Sequence, residues 1–315
     1  MGNPLVSFCL LTYNQEKYII DALHGAVNQD YDNLEIIVSD DCSTDNTFEI
    51  INGFFDDYKG DKKIILNRNA KNIGIREHCN KVFNELSHGE IIVLAAGDDV
   101  SLPERCSESV RIMTMHPEVS SLSCSSLLVD ENLNSLNQYI GETPLISNNY
   151  SLYTIDDYIR FKDWLIYSGD SRVIRRSVVE AFPPLQYSYA EDIYLFIRSL
   201  YIGSIALIRK PLSLYRQHKN SVMGEKREKI KEHKFAKPED LERFKNTTER
   251  QIWSDFEYAI NKGYIKEMHI GIIRDKLNWV ISNLRPELPP PPPKHSKNYY
   301  RLKHTLGRIV NLFVK

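Results

Sequence analysis

Short apolar runs that alternate with stretches of helical spacing fill the N-terminal third of the chain and leave it few folds to adopt. "LVSFCLLT" (Leu5 to Thr12), "LEIIVSDD", "KKIILNRN" and "GEIIVLAAGDD" read as strands. Between them, "EKYIIDALHGAVNQ" carries Ile19, Ile20, Leu23 and Val27 at helical spacing. "NTFEIINGFF" follows a capping residue, Thr44 or Asp45. "IREHCNKVFNEL" puts Ile75, Cys79, Val82, Phe83 and Leu86 on one helix face. "LPERCSESVRIMTMHP", with Pro103 near its first turn, predicts the next helix, and "VSSLSCSSLLVD" a further strand. Repeated β-α-β units imply an α/β fold with a mostly parallel central sheet, flanked by helices and joined by right-handed crossovers. The runs are apolar on both faces, as such a sheet requires. Ligands of these folds sit at the carboxyl ends of the strands, so the polar clusters there are the candidates for function.

Beyond Gly141 the pattern loosens. "YTIDDYIRF" is helical, "AEDIYLFIRSLYIG" is an amphipathic helix closed by Gly203, and "SIALIRKPLSLYR" is one or two strands. This region extends the sheet and covers the crevice. After Gly224 comes "EKREKIKEHKFAKPEDLERFKN", a charge-dense helix, then two amphipathic helices. Five consecutive prolines follow and favour an extended spacer. The organisation expected is 1–224 as one unit made of two halves, 1–130 and 131–224. Residues 225–288 form a helical extension, and 289–315 a proline spacer with a basic amphipathic tail.

Composition excludes several functions. A formal net charge of −2 argues against a general nucleic-acid partner. The five cysteines (Cys9, Cys42, Cys79, Cys106 and Cys124) are scattered and form no CxxC pair, which excludes the usual zinc and disulfide frameworks. They fit a reducing, cytoplasmic setting. The N-terminus has no basic leader, and "MGNPLV" has Val where a myristoylation signal needs Ser or Thr. The tail carries Lys294, Lys297, Arg301, Lys303, Arg308 and Lys315 without an acid. It suits either peripheral contact with the inner face of the cytoplasmic membrane or docking on protein.

The strand ends carry the chemistry. Thr12, Tyr13 and Asn14 close the first strand, where a tyrosine can stack on a planar base and Thr or Asn can bond its edges. A turn with a helix cap is the bland reading. Asp40 and Asp41 close the second strand, and either can accept from a base imide or a ribose hydroxyl. Ser43, Thr44 and Asp45 already suit capping, so the two aspartates look surplus to it. Arg68, Lys71, Asn72 and Arg76 follow the third strand with Gly74, a loop that can meet phosphate. Asp98 and Asp99 end the fourth strand behind Ala95, Ala96 and Gly97, which leave room for a ligand. Adjacent carboxylates repel each other, and Mg²⁺ or Mn²⁺ with phosphate oxygens and water would compensate.

"TYNQEKYI", "IIVSDDCSTDNT", "NRNAKNIG" and "LAAGDDVSLPER", in this order and spacing, resemble the family 2 glycosyltransferases of GT-A fold. The resemblance is strong over the first half and continues to about Gly224. It implies an inverting transfer from a nucleotide-diphosphate sugar, UDP by default, to a glycan or lipid-linked acceptor, as in bacterial O-antigen or capsule synthesis. It implies that Asp98 touches the ribose and Asp99 the metal, and that Tyr13 and Asp41 hold the base with Asp40 nearby. "YAEDIYLFIRSL" resembles the family's "ED" motif, which makes Asp192 the base and Glu191 its alternative. "YRQHKNSVMG" adds His218 to the metal or diphosphate shell and Arg216 to phosphate; Trp164 and Ser168 line the acceptor pocket.

Other readings fit less well. A nucleotidyltransferase would need a Gly-rich basic loop after the first strand, and a dehydrogenase a GxGxxG there; neither is present. A glycosidase needs two carboxylates flanking one bond, whereas Asp98 and Asp99 are adjacent. A catalytically inactive nucleotide-sugar binding module is the non-enzyme alternative.

Overall fold

The structure is a computed structural model that describes residues 3–141, 149–160, 171–187, 191–219 and 238–283. Its first half alternates as the sequence predicts. β1 (Val6–Thr12), α1 (Ile19–Val27), β2 (Leu34–Asp40), α2 (Thr47–Asp56), β3 (Lys63–Arg68), α3 (Gly74–Lys81) and β4 (Ile91–Ala96) follow one another. A wide turn at Val82–Leu86 ends α3, closed by Ser87 N–H to Val82 O at 2.9 Å. Then come β5 (Val100–Ser101), α4 (Arg105–Met115), β6 (Val119–Val129), β7 (Ser135–Ile140), β8 (Tyr150–Tyr153), α5 (Ile155–Arg160), β9 (Arg172–Arg175), α6 (Arg176–Glu180), α7 (Glu191–Ile202) and β10 (Ser204–Arg216). Helices α8 (Pro238–Asn261) and α9 (Glu267–Asn283) end the described chain.

The strands form one sheet, ordered β3-β2-β1-β4-β9-β6-β10-β5, with β7 on β6 and β8 on β10. The long ladders are parallel: β1 with β2 and β4, β2 with β3, and β6 with β10. β9 runs antiparallel between β4 and β6 and reaches only Ile91–Val93 of β4. β5 runs antiparallel to β10, pairing Ser101 with Ser213 and Val100 with Leu214.

Period-two alternation divides the central strands between two cores. Val6, Phe8, Leu10, Ile36, Val38, Ile91 and Val93 face α1, α2 and α4. Cys9, Leu11, Ile37, Ile92 and Leu94 face the other way, with Cys79, Val82, Phe83, Val178 and Leu195. A third cluster joins α5, α7, α8 and α9. There Arg198 donates to both oxygens of Asp255, at 2.8 and 2.7 Å, and Gln251 donates to one of them at 2.9 Å. This buried bidentate pair fixes α8 against α7. Removing one partner strands the other charge, at about 3–5 kcal/mol.

Three local expectations change. Gly203 follows α7 but is not among the residues with positive φ. It is glycine for room, because a Cβ would lie 2.5 Å from Glu118 O. "SIALIRKPLSLYR" is one strand, interrupted by register shifts around Pro211, which has no N–H to give the ladder. α8 runs unbroken through the point where charge density suggested two helices. Residues 225–237 of the charge-dense stretch, the proline spacer and the tail lie outside the described residues.

Candidate active site at the carboxyl ends of the parallel strands

β1 lies between β2 and β4, so the chain order reverses beside it. A crevice opens at such a switch point. Thr12, Tyr13 and Asn14 leave β1 there, Asp40 and Asp41 leave β2, and Gly97, Asp98 and Asp99 leave β4. Gly97 allows β4 to close on β1. A Cβ there would overlap Gln15 Oε1 and lie 2.8 Å from Thr12 Oγ1. Among the described residues, neither buried oxygen has a hydrogen-bond partner. Tyr13 is half-buried beside them.

Several of the residues predicted to meet the nucleotide also make bonds within the protein. Asn14 adopts φ 55° and staples two loops: its N–H donates to Ser43 Oγ at 2.9 Å, and its Oδ1 accepts from Thr44 N at 2.8 Å. The expectation that Asp40 and Asp41 are surplus to local capping is overturned. Asp40 is fully buried and accepts from Ser43 N at 2.8 Å and from Ser43 Oγ, with Arg68 Nε at 3.7 Å. Asp41 accepts from Asn69 Nδ2 at 2.8 Å, Ile73 N at 3.0 Å and Gly74 N at 2.8 Å. Asn72 Oδ1 also accepts from Gly74 N, at 3.0 Å. The N–H groups at the start of α3 have no partner within the helix, and these side chains supply acceptors. Asp45, one residue before the Asn46 N-cap of α2, accepts from Thr47 N at 3.0 Å.

Asp98 and Asp99 are placed differently. A turn closed by Asp99 N–H to Ala96 O at 3.2 Å presents both. Because β5 pairs with β10, this turn lies beside the end of β10, and "GDD" meets "YRQH". Arg216 N–H donates to Asp99 Oδ1 at 2.8 Å. His218 Nε2 lies 3.1 Å from Asp98 Oδ2, and its ring packs on Tyr18 at 4.4 Å. The Arg216 guanidinium, expected on phosphate, bonds inside the protein: to Asp98 O at 2.8 Å, Glu131 O at 2.6 Å and Asp21 Oδ2 at 2.6 Å, over the Tyr18 ring. Its side chain is buried, which makes it a positioning residue for the aspartates. Burial, then the Glu131 carboxylate, pushes the Tyr18 phenol up, with Arg216 opposing.

The sequence reading missed Tyr18, Asp21 and Glu131, which frame this cluster, and His78. Tyr18 and Asp21 lie three apart at the start of α1, a helical spacing that puts them on one face. Glu131 carried no sequence signal. His78 is buried with Nε2 2.7 Å from Ser39 Oγ. Burial pulls its pKa below the ordinary value, although Asp41 and Asp40 oppose this.

Asp192 lies in the first turn of α7, nearly buried, and its Oδ1 accepts from Ile193 N at 2.9 Å. Glu191 begins the same helix. Trp164 and Ser168 lie outside the described residues.

Among the described residues, no group of three or more His, Cys, Asp or Glu side chains could hold a metal by itself. Asp98, Asp99 and His218 nevertheless offer the carboxylate and imidazole donors that Mn²⁺ accepts, or the carboxylates that Mg²⁺ accepts. Such a cation would take its remaining ligands from phosphate and water.

The layout is that of an α/β fold with polar strand ends gathered at one crevice, and comparison makes this specific. The glycosyl transferase family 2 model matches residues 7–182, and the chain belongs to that family. An uncharacterized glycosyltransferase of Methanocaldococcus jannaschii is 31% identical over 45% of this chain and 48% of its own. The putative glycosyltransferase EpsE of Bacillus subtilis is 31% identical over 41% and 46%. The chain thus spans about half the length of these curated relatives. Residues 1–349 of S. aureus TarS, solved with UDP-GlcNAc, match at TM-score 0.63 and 18% identity, over 98% of this chain and 82% of that one. The mannosyltransferase PcManGT of Pyrobaculum calidifontis, solved with GDP-Man and Mn²⁺, matches at 0.55 and 16%, over 99% and 86%. The fold is GT-A.

Proposed function

We propose that this glycosyltransferase is inverting and metal-dependent. It moves a sugar from a nucleotide-diphosphate donor, UDP-linked by default, to a hydroxyl of a glycan or lipid-linked acceptor in cell-surface polysaccharide synthesis. The observation that carries the reading is the Asp98–Asp99 turn at the switch point, with His218 Nε2 3.1 Å from Asp98 Oδ2. The ligands in the TarS and PcManGT structures support a donor of this class.

In this reading Tyr13 stacks on the base and Thr12 Oγ1 bonds its edge. Asn14, Asp40, Asp41 and Asn72 hold the loops that frame it. Asp98 meets the ribose, and Asp99 and His218 hold the metal. Bound there, Mn²⁺ or Mg²⁺ neutralises charge on the diphosphate. Asp192 accepts the proton of the acceptor hydroxyl as that oxygen attacks C1. The C1–O bond to the diphosphate breaks, its electron pair leaves with the diphosphate, and the anomeric centre inverts. The helix N-terminus favours the ionised form of Asp192 before the transfer. Residues 238–283, the described part of the helical extension, brace α7. The setting is the cytoplasm, with residues 294–315 as the membrane contact. Among the described residues, no helix is long and apolar enough to cross a membrane.

Calorimetry with UDP, GDP and dTDP, with and without Mn²⁺, tests the site. One nucleotide should bind in a metal-dependent way to wild type and equally to Asp192→Asn. Transfer by that variant should fall about 10²–10⁴-fold. A folded protein that binds no nucleotide under any condition would sink the donor reading. Binding without transfer in wild type would favour the inactive module.

A further inference from the structure

Arg105, the first residue of α4, is 1% exposed, one of the largest side chains buried to that degree. Its Nη1 donates to Ser101 Oγ at 2.7 Å, and its Nη2 donates to Leu94 O at 2.5 Å. Those two acceptors bracket Ala95 to Val100, the segment that contains the Asp98–Asp99 turn.

The position explains why a guanidinium is there. β9 accompanies β4 only as far as Val93, so from Leu94 onward that edge of β4 has lost its neighbour. Arg105 supplies a donor where no strand does. On the far side of the turn, Ser101 begins the chain's course along β10. One rigid, planar fork reaches both places, which a lysine cannot do.

Gln29 ties down the backbone on either side of Arg105. Its Nε2 donates to Gly25 O at 2.8 Å and Leu102 O at 2.9 Å, and its Oε1 accepts from Cys106 N at 3.0 Å. Gly25 lets α1 press on the same point, since a Cβ there would lie 2.9 Å from Ser101 O. Helices α1 and α4 and strands β4 and β5 therefore meet around this one side chain.

Packing alone would favour an apolar residue here. No carboxylate lies within ion-pair distance of Arg105 among the described residues, and its Nε has no acceptor there. A buried, unpaired cation is unfavourable unless something offsets it. Its hydrogen bonds to Ser101 Oγ and Leu94 O supply that offset, so the guanidinium is held where those two acceptors are.

We infer that Arg105 is a positioning residue for the Asp98–Asp99 turn, clamping the chain before and after the two aspartates. Its bearing on donor binding rests on the reading above; the clamp itself does not.

Hydrogen exchange of the amides in residues 95–101 separates the two. Arg105→Met should speed their exchange about tenfold or more, as expected for loss of a hydrogen bond to a charged group. Ser101→Ala, which removes one arm, should speed it less. Ile112→Ala opens a cavity in α4 away from the turn and should lower thermal stability without singling out this segment. If Arg105→Met does not fold, Arg105→Lys takes its place, since it keeps the charge and reaches only one acceptor. Unchanged exchange in the Arg105 variant would overturn the inference, as would a rise spread evenly over the sheet like that of Ile112→Ala. Nucleotide affinity, measured in parallel, should weaken in Arg105→Met and hold in Ile112→Ala. Local loosening in a protein whose wild type binds no nucleotide would overturn the donor reading and leave the clamp standing.

Discussion

Asp40–Asp41 and Asp98–Asp99 are the same dipeptide at the same place, the carboxyl end of a buried parallel strand, and the fold uses them in opposite ways. The first pair is enclosed by its own loops: Ser43, Asn69, Ile73 and Gly74 donate to it. The second pair stands on a tight turn beside another element, facing His218 and the Arg216 N–H. The difference comes from the chain that follows. After β2, nearby N–H groups lack acceptors and take the carboxylates. After β4, the turn is braced from outside by Arg105 and Arg216, and Asp99 takes the backbone N–H of Arg216 from a distant strand rather than from the loop that follows it.

Three variants break or sharpen this contrast. The largest effect is expected at Asp99. Asp99→Asn keeps an acceptor for Arg216 N–H but removes the charge, and transfer should fall about 10²–10³-fold if a metal contact is lost. The melting temperature should stay close to wild type; a large drop would put Asp99 in the structural class with Asp41. Asp41→Ala should do the reverse. Asn69 Nδ2 and Ile73 N–H lose this acceptor while Gly74 N–H keeps Asn72, and urea unfolding should show a loss of about 2 kcal/mol. Unchanged stability with lost nucleotide affinity would erase the contrast.

The smallest effect concerns His78, under the first pair. Burial lowers its pKa below the ordinary 6.5, so near and below that value the unfolded chain binds the proton more readily than the folded one. Stability from this group is complete above the unfolded value and declines as pH falls through 6.5 toward the folded value. Unfolding midpoints measured from about pH 7 down to about pH 5 should fall more in wild type than in His78→Gln. Parallel profiles would exclude His78 as the source.

Much of the fold was legible because its signals are local. The β1–β4 alternation follows from side-chain periodicity, and so do the helices between the strands. β5 and β9 were not legible. They are too short to carry a pattern, and each is a strand only because a neighbour pairs with it. Gly203 was read as a helix stop, yet its reason lies across space at Glu118. In the site, Thr12, Tyr13, Asp98, Asp99 and His218 were proposed from strand ends and the motif resemblance, and the fold gathers them at one crevice. Arg216 was assigned to phosphate because a sequence cannot show that Asp98, Glu131 and Asp21 already take its donors. Tyr18 and Arg105 passed as ordinary helix residues.

The sequence by itself determined the class of fold, the crevice end of the sheet and the family. Periodicity and strand-end chemistry are written residue by residue, and burial of both sheet faces allows little else. Only the tertiary structure decided which charges remain available. A carboxylate or guanidinium is committed or free according to which donors and acceptors reach it, and those come from segments tens of residues away, such as Arg216 on Asp21 and Asp41 on Gly74.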